Sequence, residues 1–257
     1  MSHESVIALW KKGIGAQAFV VDLSGSKLEA RDRDELAKGM RLEDLRLKNG
    51  HFTAVWRPGT GSQHWQAGMS AAEFKRVSAE QADAGRRIHC LSYDSNELAA
   101  VWRDGAGQQE WVVGEDHDKL AATDAKWAKQ GLRIHSISVD GGDIACVWRP
   151  GAGAYRWIAN ASIDTLHTTD FVCRKEGLVM VKLAVDDSGL LNTGGDWLAV
   201  WSTPEAHTAW GSVVAAKIEA EVTKLSQKGF RLVGLGAWQQ GGLGGGIGIE
   251  FVPGDDE

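Results

Sequence analysis

Short apolar segments recur at a constant interval along this chain. The strings IALWKKG, TAVWRPG, AAVWRDG, ACVWRPG and LAVWSTP are spaced 46, 46, 46 and 53 residues apart, with their tryptophans at Trp10, Trp56, Trp102, Trp148 and Trp201. A second aromatic residue always follows nine residues later, at Phe19, Trp65, Trp111, Trp157 and Trp210. A glycine then follows the first tryptophan by 28 or 29 residues, at Gly39, Gly85, Gly131, Gly177 and Gly229. A fixed period of this length indicates a repeat protein.

Each unit predicts the order β-β-α-β. The segment Ala54 to Arg57 reaches a Pro-Gly-x-Gly turn and returns through Trp65, which is typical of a hairpin. Helix start signals follow at Ser70 with Glu73, and a glycine ends the helix before the third strand. The fold class is therefore α+β, with five tandem β-β-α-β repeats joined as antiparallel meanders. The predicted units are residues 6–51, 52–97, 98–143, 144–196 and 197–246 of a single repeat domain, with a final half-unit strand at 247–253.

The two ends of the chain decide between two arrangements of these units. Gly248 to Pro253 resembles a sixth first strand, with Phe251 in place of the tryptophan. In a closed ring, this segment and the first strand of the chain would compete for one position. We therefore predict a curved open array or partial barrel, and a closed propeller-like ring is the alternative. The longer last interval predicts a seven-residue insertion in the loop from Asp186 to Asp196.

The Trp-Arg-Pro-Gly turn, the second tryptophan and the glycine before the third strand resemble the bacterial tandem repeat family across essentially the whole chain. They also resemble the N-terminal half of fungal polyglycine hydrolases, where such repeats precede a serine catalytic domain similar to β-lactamases. The fifth unit departs most, because Ser202-Thr203-Pro204 replaces Arg-Pro-Gly. The resemblance implies a repeat scaffold that lacks the catalytic half.

Composition excludes two classes of partner. The chain has 43% hydrophobic residues, 24% charged residues and no apolar run of the roughly 18 residues that a membrane helix needs. Its net charge of -6, with basic residues scattered singly, gives no footprint for nucleic acid. Without a secretory signal the chain as written is expected in the cytoplasm, or outside the cell if it is a mature secreted form. We expect a monomer whose three cysteines, Cys90, Cys146 and Cys173, are reduced and buried.

Catalytic and metal sites are not predicted. Ser24-Gly25-Ser26-Lys27 matches a Ser-x-x-Lys pattern, but its position at a helix start favours a capping role. His89 and His135 share one slot of adjacent third strands with Glu43, and zinc accepts such ligands. The same slot holds Val181 and Val233 in the other units, so we expect neither a metal nor another cofactor.

Tryptophan is the most unusual feature of the composition, with 12 residues in 257. Stacked aromatic rings bind sugars, but a small unit that cannot bury its own apolar face also needs large side chains at the seams between units. We expect most of the repeated aromatic residues to lie in the core.

A cation follows the first tryptophan in four units, at Lys11, Arg57, Arg103 and Arg149, and Ser202 replaces it in the fifth. Strand alternation turns it away from the neighbouring tryptophan. It either binds a ligand or caps a carboxylate or carbonyl of the next unit. The leading hypothesis is a non-catalytic binding module that presents repeated shallow sites to a polysaccharide, a peptide or another polymer. The alternatives are a serine hydrolase related to the polyglycine hydrolases and a structural or protein-interaction scaffold.

Overall fold

The computed structural model describes residues 4–186, 196–203 and 208–239. Its strands are β1 (Glu4–Lys12), β2 (Ala18–Ser24), β3 (Met40–Lys48), β4 (His51–Pro58), β5 (Gln63–Met69), β6 (Arg86–Asp94), β7 (Glu97–Asp104), β8 (Glu110–Glu115), β9 (Leu132–Asp140), β10 (Asp143–Pro150), β11 (Tyr155–Ala161), β12 (Val179–Asp186), β13 (Asp196–Ser202), β14 (Thr208–Val214) and β15 (Phe230–Gln239). Its helices are α1 (Gly25–Ala37), α2 (Ala71–Asp83), α3 (His117–Ala128), α4 (Ile163–Lys175) and α5 (Ile218–Gln227), the last preceded by a 3-10 turn, Ala215–Lys217.

The described strands form five antiparallel sheets of three strands each. Their orders are β2-β4-β3, β5-β7-β6, β8-β10-β9, β11-β13-β12 and β14-β1-β15. In each sheet, the middle strand carries a first tryptophan, and its neighbours are the second and third strands on either side of one helix. The prediction of an α+β fold with antiparallel strand meanders is confirmed. The predicted hairpin between residues 54–57 and the strand of Trp65 is wrong, because β4 pairs with β2 and β3, whereas β5 pairs with β7 in the next sheet.

The chain divides into two compact units. The central unit, residues 18–152, holds the sheets β2-β4-β3, β5-β7-β6 and β8-β10-β9 with α1, α2 and α3. The terminal unit combines residues 1–17 with residues 153–257, and its described part holds the other two sheets with α4 and α5.

The first strand of the chain lies in the sheet of the last helix. β1 pairs with β14, where Leu9 is opposite Trp210, and with β15, where Trp10 is opposite Leu232. The sequence argument assigned this same position to two competing segments, and the structure gives it to β1. The competing segment, Gly248 to Pro253, lies outside the described residues, as do residues 187–195 of the predicted insertion.

The first tryptophans are the centre of the core. Trp10, Trp56, Trp102, Trp148 and Trp201 have no exposed surface, and Trp197, which is outside the repeat register, is equally buried. Of the second aromatic residues Trp210 is buried, whereas Phe19, Trp65, Trp111 and Trp157 are half-buried. The core prediction therefore holds for the first tryptophans, and the second set borders the surface. All three cysteines are buried and form no disulfide among the described residues, as expected.

Local signals explain where the helices begin and end. Ser70 and Glu73 form a complete capping box on α2, while the side chains of Asp116 and Ser162 accept the N–H of the third residue of α3 and α4. Ser24 also occupies the cap position, of α1, but its side chain makes no capping hydrogen bond. The glycines that follow the helices have φ near +80°, as Gly39 illustrates with +77°, a conformation that ends a helix without a side-chain clash. No helix in the described part of the chain is long and apolar enough to span a bilayer.

Candidate functional site

The predicted cation positions lie at the ends of central strands. Arg57, Arg103 and Arg149 are half-buried in the central unit, and Lys11 is half-buried in the terminal unit. Each lies directly opposite an arginine of the adjacent third strand, in the pairs Arg57–Arg41, Arg103–Arg87, Arg149–Arg133 and Lys11–Arg231. Residues directly opposite in an antiparallel ladder point to the same face, where like charges repel each other. The predicted single row is therefore a set of paired cations.

The two members of each pair have different surroundings. Arg41 and Arg87 donate from Nε to the carbonyl oxygens of Gly61 and Gly107, at 3.0 and 2.8 Å, and so hold the glycine turn of the following unit. Arg231 holds Gly15 in the same way at 2.6 Å. These third-strand arginines fix the turns. The sequence analysis missed them, although their spacing of 46 residues was visible.

Arg103 and Arg149 make different side-chain contacts. Arg103 Nη1 lies 3.3 Å from Glu43 Oε2, whereas Arg149 Nη1 lies 3.4 Å from His135 Nε2. Burial lowers the pKa of Arg149, and the nearby charge of Arg87 lowers it further. The space around Arg149 is tight, since a Cβ on Gly105 would lie 2.9 Å from its Nη2. Arg103 therefore contacts a carboxylate, although of an earlier unit and not of the next one, and 23% of its side chain is exposed.

The histidine slot coincides with a β-bulge. Residues 43, 89 and 135 lie where the ladder of the first and third strands shifts register, as do residues 181 and 233. A bulged residue is left out of the ladder and its side chain is re-aimed. This brings the His89 and His135 rings to 6.0 Å between centroids and His89 Nε2 to 3.6 Å from Glu43 Oε2. Within the described residues, no group of three or more histidine, cysteine, aspartate or glutamate side chains is placed to hold a metal ion.

A buried aspartate links the two tryptophans of consecutive sheets. Asp32 lies on α1, is 4% exposed, and accepts the indole N–H of Trp56 at 2.8 Å and that of Trp65 at 3.0 Å. Gln63 Nε2 donates to the same carboxylate at 3.1 Å, while its Oε1 accepts the backbone N–H of Leu42. Three donors thus converge on one carboxylate that water hardly reaches.

The same arrangement recurs 138 residues later. Asp170 on α4 accepts from Trp201 at 2.7 Å and from Trp210 at 3.0 Å. Between them, Asp124 on α3 accepts from Trp148 at 2.9 Å. The sequence analysis missed this network, because single aspartates in amphipathic helices usually face solvent. Their period of 46 or 92 residues was the available signal.

Two helices lack this aspartate, and α5 has Val222 at the equivalent position. On α2 the equivalent residue is Ser78, which is 4% exposed and lines one cleft together with Trp111 and Gln109. Among the described residues, neither Ser78 Oγ nor Trp102 Nε1 has a hydrogen-bond partner. Gln109 is anchored as Gln63 is, since its Oε1 accepts the backbone N–H of Ile88 at 2.9 Å.

Clefts open beside both second tryptophans of the central unit. The cleft at Trp65 has a volume of about 560 Å³, and its charged lining residues are Glu29, Asp32, Arg33 and Glu97. The cleft at Trp111 has a volume of about 390 Å³ and is lined by Ser78, Gln109, Lys75 and Arg87, among others. Its described lining residues include two cations and no acid. The two clefts therefore differ in charge although they occupy equivalent positions.

One polar cluster near the first helix has the composition of a catalytic triad. His51 Nδ1 lies 2.8 Å from Asp22 Oδ1, and His51 is directly opposite Ser24 in the β2–β4 ladder. Side chains opposite each other share one face of the sheet. Asp22 has φ of +59°, a left-handed conformation at the bulge of β2. Both charged side chains are half-exposed, unlike the buried acid of a typical triad.

Comparison with known proteins adds no relative to this picture. No protein-family model matches the chain, and no curated protein matches it significantly.

Proposed function

We propose that this protein is a non-catalytic binding module that presents repeated shallow sites to an acidic polymer, either a polysaccharide or a peptide. The observation that carries the proposal is the pairing of cations at Arg57, Arg103 and Arg149 with the arginines opposite them. The third-strand member holds a glycine turn at Arg41 and Arg87. The first-strand member adds a second like charge on the same face of the sheet.

An anionic ligand would offset that repulsion at each position. A carboxylate or sulfate near a pair interacts with two positive charges, and guanidinium groups bind such oxygens through parallel N–H bonds. Because the pairs recur along consecutive sheets, a polymer with repeated negative groups could occupy several of them at once. Each contact adds to the effective concentration of the next, so a weak individual site is sufficient. Lys11 and Arg231 repeat the pattern in the terminal unit.

The test is a titration with polygalacturonate, polyglutamate and a neutral glucan, followed by calorimetry. We expect binding to the acidic polymers, reduced stepwise in Arg57→Ala, in the Arg57→Ala/Arg103→Ala double variant and in the triple variant with Arg149→Ala. The matched control is Arg76→Ala, because Arg76 lies on the exposed surface of α2 and contacts only Glu80. Equal binding by the triple variant and the parent, with unchanged melting temperatures, would refute the proposal and favour a scaffold function.

We also propose that the chain consists of five copies of one structural unit. The support is that every sheet combines a second and a third strand with a first strand between them, and that a helix connects the outer two. The resemblance to the bacterial tandem repeat family predicts the same organisation.

A serine hydrolase is the second candidate, and one observation favours it. Ser24 and His51 lie opposite each other in the β2–β4 ladder and could supply a nucleophile and a base, and Asp22 lies 2.8 Å from His51 as the acid. Labelling with a fluorophosphonate probe tests this function. A hydrolase requires labelling that Ser24→Ala abolishes and His51→Ala strongly reduces. An unlabelled parent protein eliminates this candidate and leaves the binding module.

A further inference from the structure

The three buried aspartates on α1, α3 and α4 show which group is missing at the equivalent position of α2, namely a carboxylate that accepts indole N–H groups. In each case one carboxylate oxygen accepts from a first tryptophan, at 2.8 Å for Asp32, 2.9 Å for Asp124 and 2.7 Å for Asp170. For Asp32 and Asp170 the other oxygen accepts from a second tryptophan at 3.0 Å. Ser78 stands at the same point of α2 and provides a hydroxyl in place of the carboxylate.

The groups that would bind a carboxylate are nevertheless present around Ser78. Trp102 Nε1 is fully buried and donates to nothing among the described residues, and the Ser78 hydroxyl is equally unsatisfied. Gln109 has its Oε1 engaged with the Ile88 N–H, so that its Nε2 remains as a donor in the position that Gln63 uses toward Asp32. A buried donor without an acceptor destabilises the protein, because it has lost its hydrogen bond to water. Such a set of donors is unfavourable unless an acceptor joins it.

Packing holds the two indoles in place. Phe74 on α2 lies where α1, α3 and α4 have a leucine. Its ring packs on Trp111 with centroids 4.8 Å apart and on Trp102 with centroids 6.0 Å apart. The donors therefore do not depend on the aspartate for their positions. A preorganised site loses little conformational entropy on binding.

The way in also fits an anion. The cleft of about 390 Å³ reaches Ser78 and Trp111 from the surface, and the cations Lys75 and Arg87 are among its lining residues. Its equivalent beside Trp65 contains Asp32 together with Glu29 and Glu97, so an external anion would be repelled there. The charges of the two clefts therefore favour binding of an anion at Ser78, where the aspartate is missing, and disfavour it at Trp65.

We propose that the cleft at Ser78 binds the carboxylate group of a ligand in the position that an aspartate side chain occupies in α1, α3 and α4. One ligand oxygen accepts the N–H of Trp102, the other accepts from Trp111 and Gln109, and the Ser78 hydroxyl donates to the first. The shared chemistry is a carboxylate, carried by a small acid, an acidic side chain or a uronic acid. This inference deepens the proposed function and rests on it for the choice of polymeric ligands, but its test is independent of the cation pairs.

The test uses the full chain with ¹⁵N-labelled tryptophan and follows the indole N–H resonances during titration with sodium acetate. Sodium chloride at the same ionic strength is the reference. We expect saturable shifts of the Trp102 and Trp111 indole signals with acetate, assigned through Trp111→Phe, and none of comparable size with chloride. Ser78→Asp supplies the carboxylate internally, so acetate affinity should fall at least about tenfold, the loss of one charge-assisted hydrogen bond.

A reciprocal variant completes the test. Asp32→Ser recreates the α2 arrangement on α1, and we expect acetate to shift the Trp56 and Trp65 indole signals of that variant only, with a lower affinity than at Ser78 because Glu29 and Glu97 still line its cleft. If it fails to fold, Asp170→Ser gives the same comparison at Trp201 and Trp210. Absence of saturable acetate shifts in the parent protein, or equal shifts in Ser78→Asp, would overturn the inference and assign the space to ordinary water.

The source of the carboxylate is distinguished by competition. Glutamate oligomers and galacturonate oligomers are titrated against acetate-saturated protein, and the true ligand class should displace acetate with an affinity above that of acetate itself. A failure of acetate binding while polygalacturonate still binds in an arginine-dependent manner would refute this inference alone. The opposite result, with acetate bound and no polymer bound, would refute the polymer proposal alone.

Discussion

Replacing Asp32 with asparagine tests the buried network most directly. The substitution keeps the shape of the side chain and removes its charge. One oxygen remains for the N–H of Trp56, now 2.8 Å away, but the new amide nitrogen faces the N–H of Trp65 or the amide of Gln63, which lie 3.0 and 3.1 Å from the carboxylate. Two donors would then point at a third donor.

The expected loss follows from these contacts. A hydrogen bond to a charged group contributes about 1.5–3 kcal/mol, and an unsatisfied buried donor costs about 1–3 kcal/mol. We expect Asp32→Asn to lower the free energy of unfolding by about 3 kcal/mol, since one strong bond is lost and one weakened. Asp32→Ala should cost more, about 3–5 kcal/mol, because the N–H groups of Trp56, Trp65 and Gln63 all lose their acceptor and each unsatisfied buried donor costs about 1–3 kcal/mol.

Urea unfolding followed by tryptophan fluorescence and circular dichroism measures the loss, and an unchanged m-value shows that the transition stays the same. Asp34→Asn is the matched control, because Asp34 lies on the same helix with its side chain exposed. It should change stability by less than about 0.5 kcal/mol. If Asp32→Asn is as stable as Asp34→Asn, the carboxylate is not the acceptor that holds the two indoles.

Three further predictions use other contacts. Ser70→Ala removes the capping box with Glu73 and should lower stability by about 1 kcal/mol in urea unfolding. The Ser62 hydroxyl and N–H lower the pKa of Asp104, so Asp104 stabilises the fold above its unfolded pKa and this contribution is lost as pH falls through its folded pKa. In Ser62→Ala, NMR titration should show a higher pKa for Asp104. The stability of that variant should depend less on pH in the same acid range. Burial raises the pKa of the Cys146 thiol well above its ordinary value, so a thiol reagent should modify it only after unfolding, whereas rapid labelling of the native protein would contradict its placement.

The period of the sequence predicted the elements well because burial of the first tryptophans determines them. The strand with the fully buried indole of Trp56 is the central one, and the caps mark the helices. The glycine turn after this strand leads to β5 of the next sheet, so the turn does not identify the neighbours β2 and β3. The choice between β1 and Gly248–Pro253 could not be made from the sequence. Both segments have the pattern of a first strand, so only the pairing with β14 and β15 distinguishes β1.

The site was predicted less completely because it depends on register. The bulges at residues 43, 89 and 135 shift the ladder by one residue between the tryptophan and the residue that precedes it. Alternation alone does not place them, so the arginine opposite Arg103 was not foreseen. The aspartates were missed for another reason. A carboxylate on a helix is expected in water, and only its recurrence opposite two tryptophans shows that Asp32 is a buried acceptor.

The cation pairs and the cleft at Ser78 are not separate features, because Arg87 belongs to both. It lies opposite Arg103 in the ladder, lowers the pKa of Arg149, and lines the cleft. A carboxylate bound at Ser78 would bring a negative charge toward Arg87 and reduce the repulsion among these arginines. Occupancy of the cleft and binding of an acidic polymer along the arginines must then weaken each other by equal free energies, because each negative charge reduces the positive potential that attracts the other and linkage between two sites is reciprocal. An aspartate at position 78 would supply this negative charge within the protein, whereas with Ser78 the charge has to come from a bound ligand.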